Sequence, residues 1–250
     1  MVDKKKWVEG RVVYKRRWTE RLYSLQVDAV VAPFKAGQFA KLALEVDGEL
    51  VARPYSFVNA PQETPLEFYF ITVPNGPLTQ RLTRLKGGDV IHITPRAAGF
   101  LSLSELPEAE SLWLLSTGTA IGPFLSILKT DEPWQRFANV ILVHAVRTTE
   151  ELSYQDQIRR IQELHPEKFK FAAFVSREDT EFAIKARVPD ALRDGRLEAK
   201  VGVALRSDNA QVMLCGNPDM VRDTTAALEE RGLKKNRRKD PGHITVETYW

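Results

Sequence analysis

The sequence has little cysteine, no long hydrophobic run and no strong excess of either charge. Cys215 is the single cysteine among 250 residues, which excludes an internal disulfide and any cysteine-rich zinc or iron–sulfur centre. No apolar stretch approaches the roughly 18 residues that a membrane span needs. The four histidines lack metal-ligand spacing. We therefore expect neither a bound metal nor a membrane association.

Charge and length further limit the class of protein and the kind of partner that the sequence favours. The net charge is only +3, which does not favour a nucleic-acid partner. Residues 1–107 hold 15 Lys/Arg and 11 Asp/Glu, a net charge of +4, and the remaining residues hold 21 and 22, a net charge of −1. The N-terminus lacks the apolar region of a signal peptide. We expect a cytoplasmic monomer with one large domain or two modest ones.

The first hundred residues are typical of short strands. Segments rich in β-branched and aromatic residues alternate with turn signals such as Asp47-Gly48 and Gly87-Gly88. This spacing predicts an antiparallel barrel or sandwich, with one short helix near residues 79–85. The predicted strands are Val12–Tyr14, Leu22–Val27, Gln38–Val46, Leu66–Val73 and Asp89–Thr94.

The pattern changes after about Pro107. Short runs of apolar residues, typical of buried strands, now alternate with segments whose apolar residues recur at helical spacing. This alternation predicts a doubly wound parallel sheet. We therefore predict an antiparallel domain over residues 1–107 and an α/β domain over residues 108–250. The predicted strands include 112–115, 140–143, 169–175 and 212–214, and the predicted helices are 124–128, 151–164 and 218–231.

Two segments in these domains could bind a phosphorylated, planar ligand. Arg53-Pro54-Tyr55-Ser56 offers a cation, an aromatic ring and a hydroxyl, although the same residues are also common in surface turns. Ser116–Pro123 follows a buried strand and precedes a helix, as phosphate-binding loops do. It lacks the G-x-G-x-x-G pattern, so a tight turn without a ligand is an equal alternative.

Further polar residues follow strands of the second half. Arg147, Arg177 and Arg187 could contact the 2′-phosphate that distinguishes NADPH from NADH, or could be ordinary surface residues. Cys215 precedes a helix that begins after Asn217. With no histidine in the flanking segments, the sequence does not favour a cysteine nucleophile.

Taken in order, these segments resemble the ferredoxin/flavodoxin–NADP(H) reductase family, specifically its short bacterial flavodoxin-reductase branch. The matching segments run in the same order from residue 53 to the last residue. They are Arg53–Ser56, Gly76-Pro77-Leu78-Thr79, Gly118–Pro123, Ser176-Arg177-Glu178, Cys215-Gly216-Asn217-Pro218 and Val246-Glu247-Thr248-Tyr249-Trp250.

The resemblance implies an antiparallel FAD barrel followed by an NADP(H) domain. In the family the arginine of the first motif meets the FAD diphosphate, the tyrosine stacks on the isoalloxazine ring and the serine hydrogen-bonds near N5. The implied FAD residues are Arg53, Pro54, Tyr55, Ser56, Tyr69, Phe70, Ile71, Thr72, Gly76, Pro77, Leu78, Thr79, Thr119, Val246, Glu247, Thr248, Tyr249 and Trp250.

The resemblance also implies the NADP(H) residues. Ser56, Cys215 and Glu247 would lie near flavin N5 and the nicotinamide in positional roles. Lys185-Ala186-Arg187 lacks the glycine that the family commonly has before this arginine, so Arg187 is the least supported of the three. The implied NADP(H) set is Arg147, Ser176, Arg177, Arg187, Asn217, Pro218, Asp219 and Asp223.

The implied activity is electron transfer between NADPH and ferredoxin or flavodoxin. NADPH would pass a hydride to the flavin, and an acidic carrier would then take single electrons. The positive first half suits such a carrier. Two alternatives stay open: a reductase component of an oxygenase system, and a flavin redox sensor without turnover.

Overall fold

The computed structural model describes residues 6–248. Within that range, eleven strands and seven α-helices form two sheets with their covering helices. The strands are β1 (Val8–Arg17), β2 (Leu22–Asp28), β3 (Phe39–Val46), β4 (Glu49–Ser56), β5 (Leu66–Ile71), β6 (Val90–Ile93), β7 (Ser111–Thr117), β8 (Asn139–Val146), β9 (Phe169–Val175), β10 (Ala210–Gly216) and β11 (Ile244–Thr248). The helices are α1 (Pro77–Leu82), α2 (Ile121–Leu128), α3 (Glu132–Arg136), α4 (Gln155–Leu164), α5 (Val188–Arg193), α6 (Arg196–Val201) and α7 (Pro218–Glu229).

The first sheet is antiparallel, with strand order β4-β3-β6-β1-β2-β5. Its core buries Leu25, Leu42, Phe68 and other apolar side chains of alternate positions. Strand β4 lies at the edge of this sheet, where Pro54 pairs opposite Lys41. An edge strand tolerates a proline because one side of the strand makes no ladder hydrogen bonds.

The second sheet is parallel, with order β11-β10-β7-β8-β9. Its central strands are apolar at nearly every position because helices cover both faces. Helix α2 is buried along its whole length between β7 and the first sheet. One apolar core joins Leu22 and Tyr69 of the first sheet to Phe124 and Leu142 of the second half, so the two sheets pack directly on each other.

This architecture confirms the predicted fold class, an antiparallel barrel followed by a doubly wound parallel sheet. The antiparallel part is a half-barrel, with β4 and β5 at its two edges. The boundary at residue 107 remains a proposal. It is supported by the gap between β6, which ends at Ile93, and β7, which begins at Ser111.

The structure differs from the predicted elements in several places. Helices α3, α5 and α6 were not predicted. Strands β4 and β11 were not expected from the local pattern. Helix α4 begins at Gln155 instead of residue 151. Tyr154 has a φ of 61° in the left-handed region, so a regular helix cannot extend back through this residue.

No helix within residues 6–248 is long and apolar enough to cross a membrane. In the same range, no group of three or more His, Cys, Asp or Glu side chains is placed to hold a metal ion.

Candidate cofactor-binding site

A cavity of about 560 Å³ opens between the first sheet and the end of β11. Strand β4 forms one wall, β5 a second, and the turn into α1 a third. Most residues of the expected FAD set line it. These are Arg53, Pro54, Tyr55, Ser56, Tyr69, Phe70, Ile71, Gly76, Pro77, Leu78, Thr79, Thr119, Glu247 and Thr248.

The wall formed by β4 carries a cation and an aromatic ring side by side. Arg53 is exposed at the sheet edge, and its Nη1 donates to the carbonyl oxygen of Ala52 at 2.7 Å. Its guanidinium forms no ion pair with any residue of the described range. The Tyr55 ring meets Phe70 edge-on at 6.2 Å, and burial raises the pKa of the Tyr55 phenol. This wall can therefore pack a planar ring and bind an anion.

The turn before α1 approaches the cavity closely with its backbone. Val73 N donates to Thr79 Oγ1 at 3.1 Å and closes the turn. A Cβ at Gly76 would lie 2.8 Å from that same oxygen, so a side chain there would displace Thr79. The glycine therefore lets this turn close tightly beside the cavity.

Glu247 supplies a buried carboxyl oxygen, Oε2, that has no hydrogen-bond partner among residues 6–248. Burial raises the pKa of this carboxyl to about 7. Buried polar atoms are normally paired, so a ligand with hydrogen-bonding groups would complete this position. Together with the aromatic wall and Arg53, this unpartnered carboxyl fits the mixed apolar and polar surface of FAD.

A second cavity, of about 600 Å³, lies at the carboxyl ends of the parallel strands β7 to β10. Ligands bind at this end of doubly wound sheets. Seven residues of the expected NADP(H) set line it: Arg147, Ser176, Arg177, Arg187, Asn217, Asp219 and Asp223.

The arginines of this second cavity are available to an anion. Arg177 N donates to the carbonyl oxygen of Arg147 at 2.9 Å, which holds these two segments side by side. The side chains of Arg147, Arg177 and Arg187 are exposed and form no ion pair within the described part of the chain. Exposed guanidinium groups without an ion-pair partner can each donate two parallel hydrogen bonds to two oxygens of a phosphate.

The backbone between β10 and α7 is fixed from within the protein. Asn217 Oδ1 accepts from Asp219 N at 2.9 Å and caps α7. Gly216 has a φ of 142°, and a Cβ there would lie 2.1 Å from Thr117 Oγ1. Thr117 Oγ1 instead accepts from Asn217 N at 3.0 Å. The glycine therefore lets β7 and β10 approach closely at the cavity floor.

The two cavities share a wall. Ile71 and Thr119 line both of them. The adjoining Gly118 carbonyl accepts a 3.0 Å hydrogen bond from His144 Nε2. Burial lowers the pKa of His144 to about 4, so this imidazole stays neutral at pH 7 and keeps one ring proton for the bond.

Some expected residues lie elsewhere. Thr72, Val246, Pro218 and Cys215 line neither cavity, and Cys215 is fully buried in β10. Tyr249 and Trp250 lie outside the described residues. Their expected roles therefore stay predictions.

The cavities also contain residues that the sequence reasoning did not select. Phe39 and Val73 line the first, and Leu22, Glu151 and Met220 are among those that line the second. Gly118, which also lines the second cavity, belongs to the Ser116–Pro123 segment, for which the sequence predicts a phosphate loop or, equally, a tight turn without a ligand. The others give no local signal, because they become neighbours through strand pairing between distant segments.

Comparison with known proteins matches both halves to described families. Residues 17–98 match the oxidoreductase FAD-binding domain, and residues 114–226 match the oxidoreductase NAD-binding domain. The chain is 47% identical over 245 residues to a flavodoxin/ferredoxin–NADP reductase of Escherichia coli (strain K12), covering 98% of this chain and 99% of the relative. It is 37% identical over 247 residues to a ferredoxin–NADP reductase of Pseudomonas aeruginosa, covering 95% of each.

A solved structure agrees over the same length. The ferredoxin NADP⁺ reductase of Neisseria gonorrhoeae, crystallised with bound FAD and NADP, superposes with a TM-score of 0.92. It is 31% identical and covers 98% of this chain and 99% of its own.

The two domains and their adjoining cavities define an FAD-dependent oxidoreductase that uses a nicotinamide nucleotide. Within that class, the chain belongs to the flavodoxin/ferredoxin–NADP reductase family. The family expected from the sequence motifs is therefore confirmed.

Proposed function

We propose that this chain transfers electrons between NADPH and a ferredoxin or flavodoxin through bound FAD. The observation that carries the proposal is the shared wall at Ile71 and Thr119, since hydride transfer needs the two cofactors in contact. Relatives that align over nearly the whole chain bear this activity in their names, which disfavours the role of an oxygenase component.

In this proposal the first cavity holds FAD. Arg53 binds the diphosphate, and Tyr55 packs on the isoalloxazine ring. The turn at Gly76 and Thr79 approaches a second phosphate oxygen. FAD supplies the redox chemistry, since it accepts electrons in pairs and can release them singly.

The second cavity holds NADPH in the same proposal. Arg147, Arg177 and Arg187 bind the 2′-phosphate, which makes the enzyme specific for NADPH over NADH. Ser176, Asn217 and Asp223 border the remaining nucleotide. Pro218 and Asp219 keep their predicted place in this set.

The residues at the junction position the reacting groups and do not themselves exchange protons in the hydride step. Ser56 is buried beside the first cavity, and Glu247 presents its unpartnered carboxyl oxygen there. Thr119 is 8% exposed and lines both cavities. These side chains orient the ligands and keep water out, while Cys215 packs behind them.

The carrier is proposed to bind the FAD-binding half. That half carries the net charge of +4, and both ferredoxin and flavodoxin are acidic carriers in this reading. Electrostatic attraction raises association rates and is screened by salt. We also propose that the enzyme is a cytoplasmic monomer, which size-exclusion chromatography of the purified protein would check for the oligomeric state.

An NADPH-driven reduction assay with each carrier tests this proposal. We expect the purified protein to reduce ferredoxin, flavodoxin or both, at rates that fall as salt rises. Reduction of the bound flavin by NADPH without turnover of either carrier would favour the redox-sensor alternative instead.

A further inference from the structure

One short segment, residues 147–154, contacts residues of both cavities. At one end, Arg147 and Glu151 line the nucleotide cavity. Glu151 Oε2 accepts from Arg147 N at 2.9 Å, and Thr149 N donates to Glu178 Oε2 at 2.7 Å. These bonds tie the segment to the proposed 2′-phosphate site.

The other end of the segment reaches the wall of the flavin cavity. Ser153 Oγ hydrogen-bonds with Tyr69 OH at 2.7 Å, and Tyr69 lines that cavity. The neighbouring Tyr154 OH donates to Glu67 Oε1 at 2.7 Å. Glu67 and Tyr69 both belong to β5. Two adjacent residues of the second domain therefore hydrogen-bond to one strand of the first domain.

These contacts are shielded from water. Ser153 and Tyr154 are each 2% exposed, and Glu67 is 8% exposed. Trp18 covers the pair, with its ring 4.6 Å from that of Tyr154. Burial and the Glu67 carboxylate both raise the pKa of Tyr154, so its phenol keeps the proton that it donates.

The backbone of the segment also departs from the helix that its sequence predicts. Tyr154 adopts the left-handed region, which is costly for a residue with a Cβ, and α4 begins only after it. In this conformation the Tyr154 phenol reaches Glu67, and the hydroxyl of the preceding residue, Ser153, reaches Tyr69. Both hydrogen bonds therefore depend on one backbone geometry.

We infer that Ser153 and Tyr154 are positioning residues that couple the two cofactor sites. A phosphate bound at Arg147 restrains the segment, and the segment restrains β5 where it lines the flavin cavity. This inference rests on the proposed identity of the two sites. By linkage, binding at either site then strengthens binding at the other by the same factor.

The rate of FAD release from the holoenzyme, followed by flavin fluorescence, measures this coupling. The probe is adenosine 2′,5′-bisphosphate, which carries the 2′-phosphate and lacks the nicotinamide that would touch the flavin directly. We expect a saturating concentration of the probe to slow FAD release from the unaltered protein about fivefold or more. In Tyr154→Phe and in Ser153→Ala, the slowing should fall to less than about 1.5-fold.

Matched variants separate coupling from general stability. A loss of stability alone speeds FAD release equally with and without the probe, so the ratio of the two rates would not change. Glu67→Gln keeps an oxygen that can accept from Tyr154 and should retain the slowing, whereas Glu67→Leu should lose it. Tyr14→Phe, at a tyrosine that is 56% exposed, should behave as the unaltered protein does.

Two results would overturn the inference while leaving the proposed function intact. One is an unaltered holoenzyme that binds the probe by calorimetry without slower FAD release. The other is full slowing in both Tyr154→Phe and Ser153→Ala. A protein that holds no FAD or does not bind the probe would instead refute the proposed sites, and the inference with them.

Discussion

The flavin cavity lies among strands, whereas the nucleotide cavity lies among the loops that follow strands. Tyr55 and Phe70 extend from β4 and β5, whose positions are set by ladder hydrogen bonds and a common core. Arg147 and Arg177 stand on connections after β8 and β9, where their guanidinium groups are exposed. The first arrangement suits a ligand that stays bound, and the second suits a charged ligand that exchanges in each turnover.

The two cavities also differ in how they recognise their ligands. A half-buried aromatic wall recognises a flat ring through apolar contact, with few charges. Exposed arginines recognise phosphate through charge-assisted hydrogen bonds. Substitutions in each cavity should therefore weaken binding of that cavity's own cofactor directly, and should reach the other cofactor only through the smaller coupling proposed at Ser153 and Tyr154.

The largest effect on cofactor binding is expected at two neighbouring arginines of the nucleotide cavity, Arg147 and Arg177. The double variant Arg147→Ala/Arg177→Ala should raise the KM for NADPH about 100-fold or more, because two charged hydrogen bonds of ~1.5–3 kcal/mol each are lost. The KM for NADH should change less than about threefold, since NADH lacks the 2′-phosphate. Steady-state kinetics with both nucleotides measures this, and equal changes would remove these arginines from the phosphate site.

A matched control comes from Arg159, which is exposed on α4 and pairs with Asp156 away from the cavity. Arg159→Ala should leave both KM values unchanged.

A smaller effect is expected at the flavin cavity. Arg53→Ala should raise the dissociation constant of FAD about 10- to 30-fold, because a single charge-assisted contact to the diphosphate is removed. The KM for NADPH should stay the same when FAD is saturating. Fluorescence titration of FAD checks this, with Arg84→Ala, an exposed arginine outside both cavities, as the control. Unchanged FAD affinity in Arg53→Ala would refute its role.

The Glu247 carboxyl of the flavin cavity should give a pH-dependent effect on stability. The folded-state pKa of Glu247 is about 7, above its ordinary value of 4.5, so the folded protein keeps a proton that the unfolded chain releases. The stability that comes from this proton is complete below pH 4.5 and is lost as pH rises through 7. The Tm of Glu247→Gln minus that of the unaltered protein should therefore increase by a few degrees between pH 5 and pH 8.

Thermal unfolding at both pH values measures this difference. Glu49→Gln, at an exposed glutamate of β4, serves as the control and should show no such trend. A constant difference for Glu247→Gln would mean that its carboxyl is not held in the protonated form.

The smallest effect is expected at Cys215, which lines neither cavity. Cys215→Ser should keep kcat within about threefold, a change below about 0.7 kcal/mol in the barrier. A complete loss of activity in a folded variant would instead point to thiol chemistry. The same kinetic assay, with circular dichroism to confirm folding, distinguishes these outcomes.

The central strands of the parallel half were the easiest elements to predict from sequence. They are buried on both faces and form short apolar runs, such as Leu112–Leu115 within β7, and Phe169–Val175 matches β9 in full. In the antiparallel half, β4 was missed because Pro54 interrupts its pattern. Its place at the sheet edge depends on pairing with β3, which local sequence does not show.

The candidate sites show the same contrast between features visible in local sequence and features set by contacts between distant segments. Motifs that lie within four to eight residues, such as Arg53–Ser56, could be recognised directly, and every residue of that one lines the flavin cavity. The link between Tyr154 and Glu67 could not, since 87 residues separate them. Helical spacing even placed Tyr154 inside a helix, whereas burial of its phenol and the hydrogen bond to Glu67 hold it in a left-handed conformation.

The central claim is that one cavity retains FAD while the adjoining cavity delivers the electrons of NADPH to it. Anaerobic titration of the purified protein with NADPH, followed by absorbance, tests this claim most directly. We expect a yellow protein with a flavin spectrum that about one equivalent of NADPH bleaches, with far less effect from the same amount of NADH. A colourless protein that takes up no added FAD, or a bound flavin that NADPH leaves oxidised, would contradict the claim.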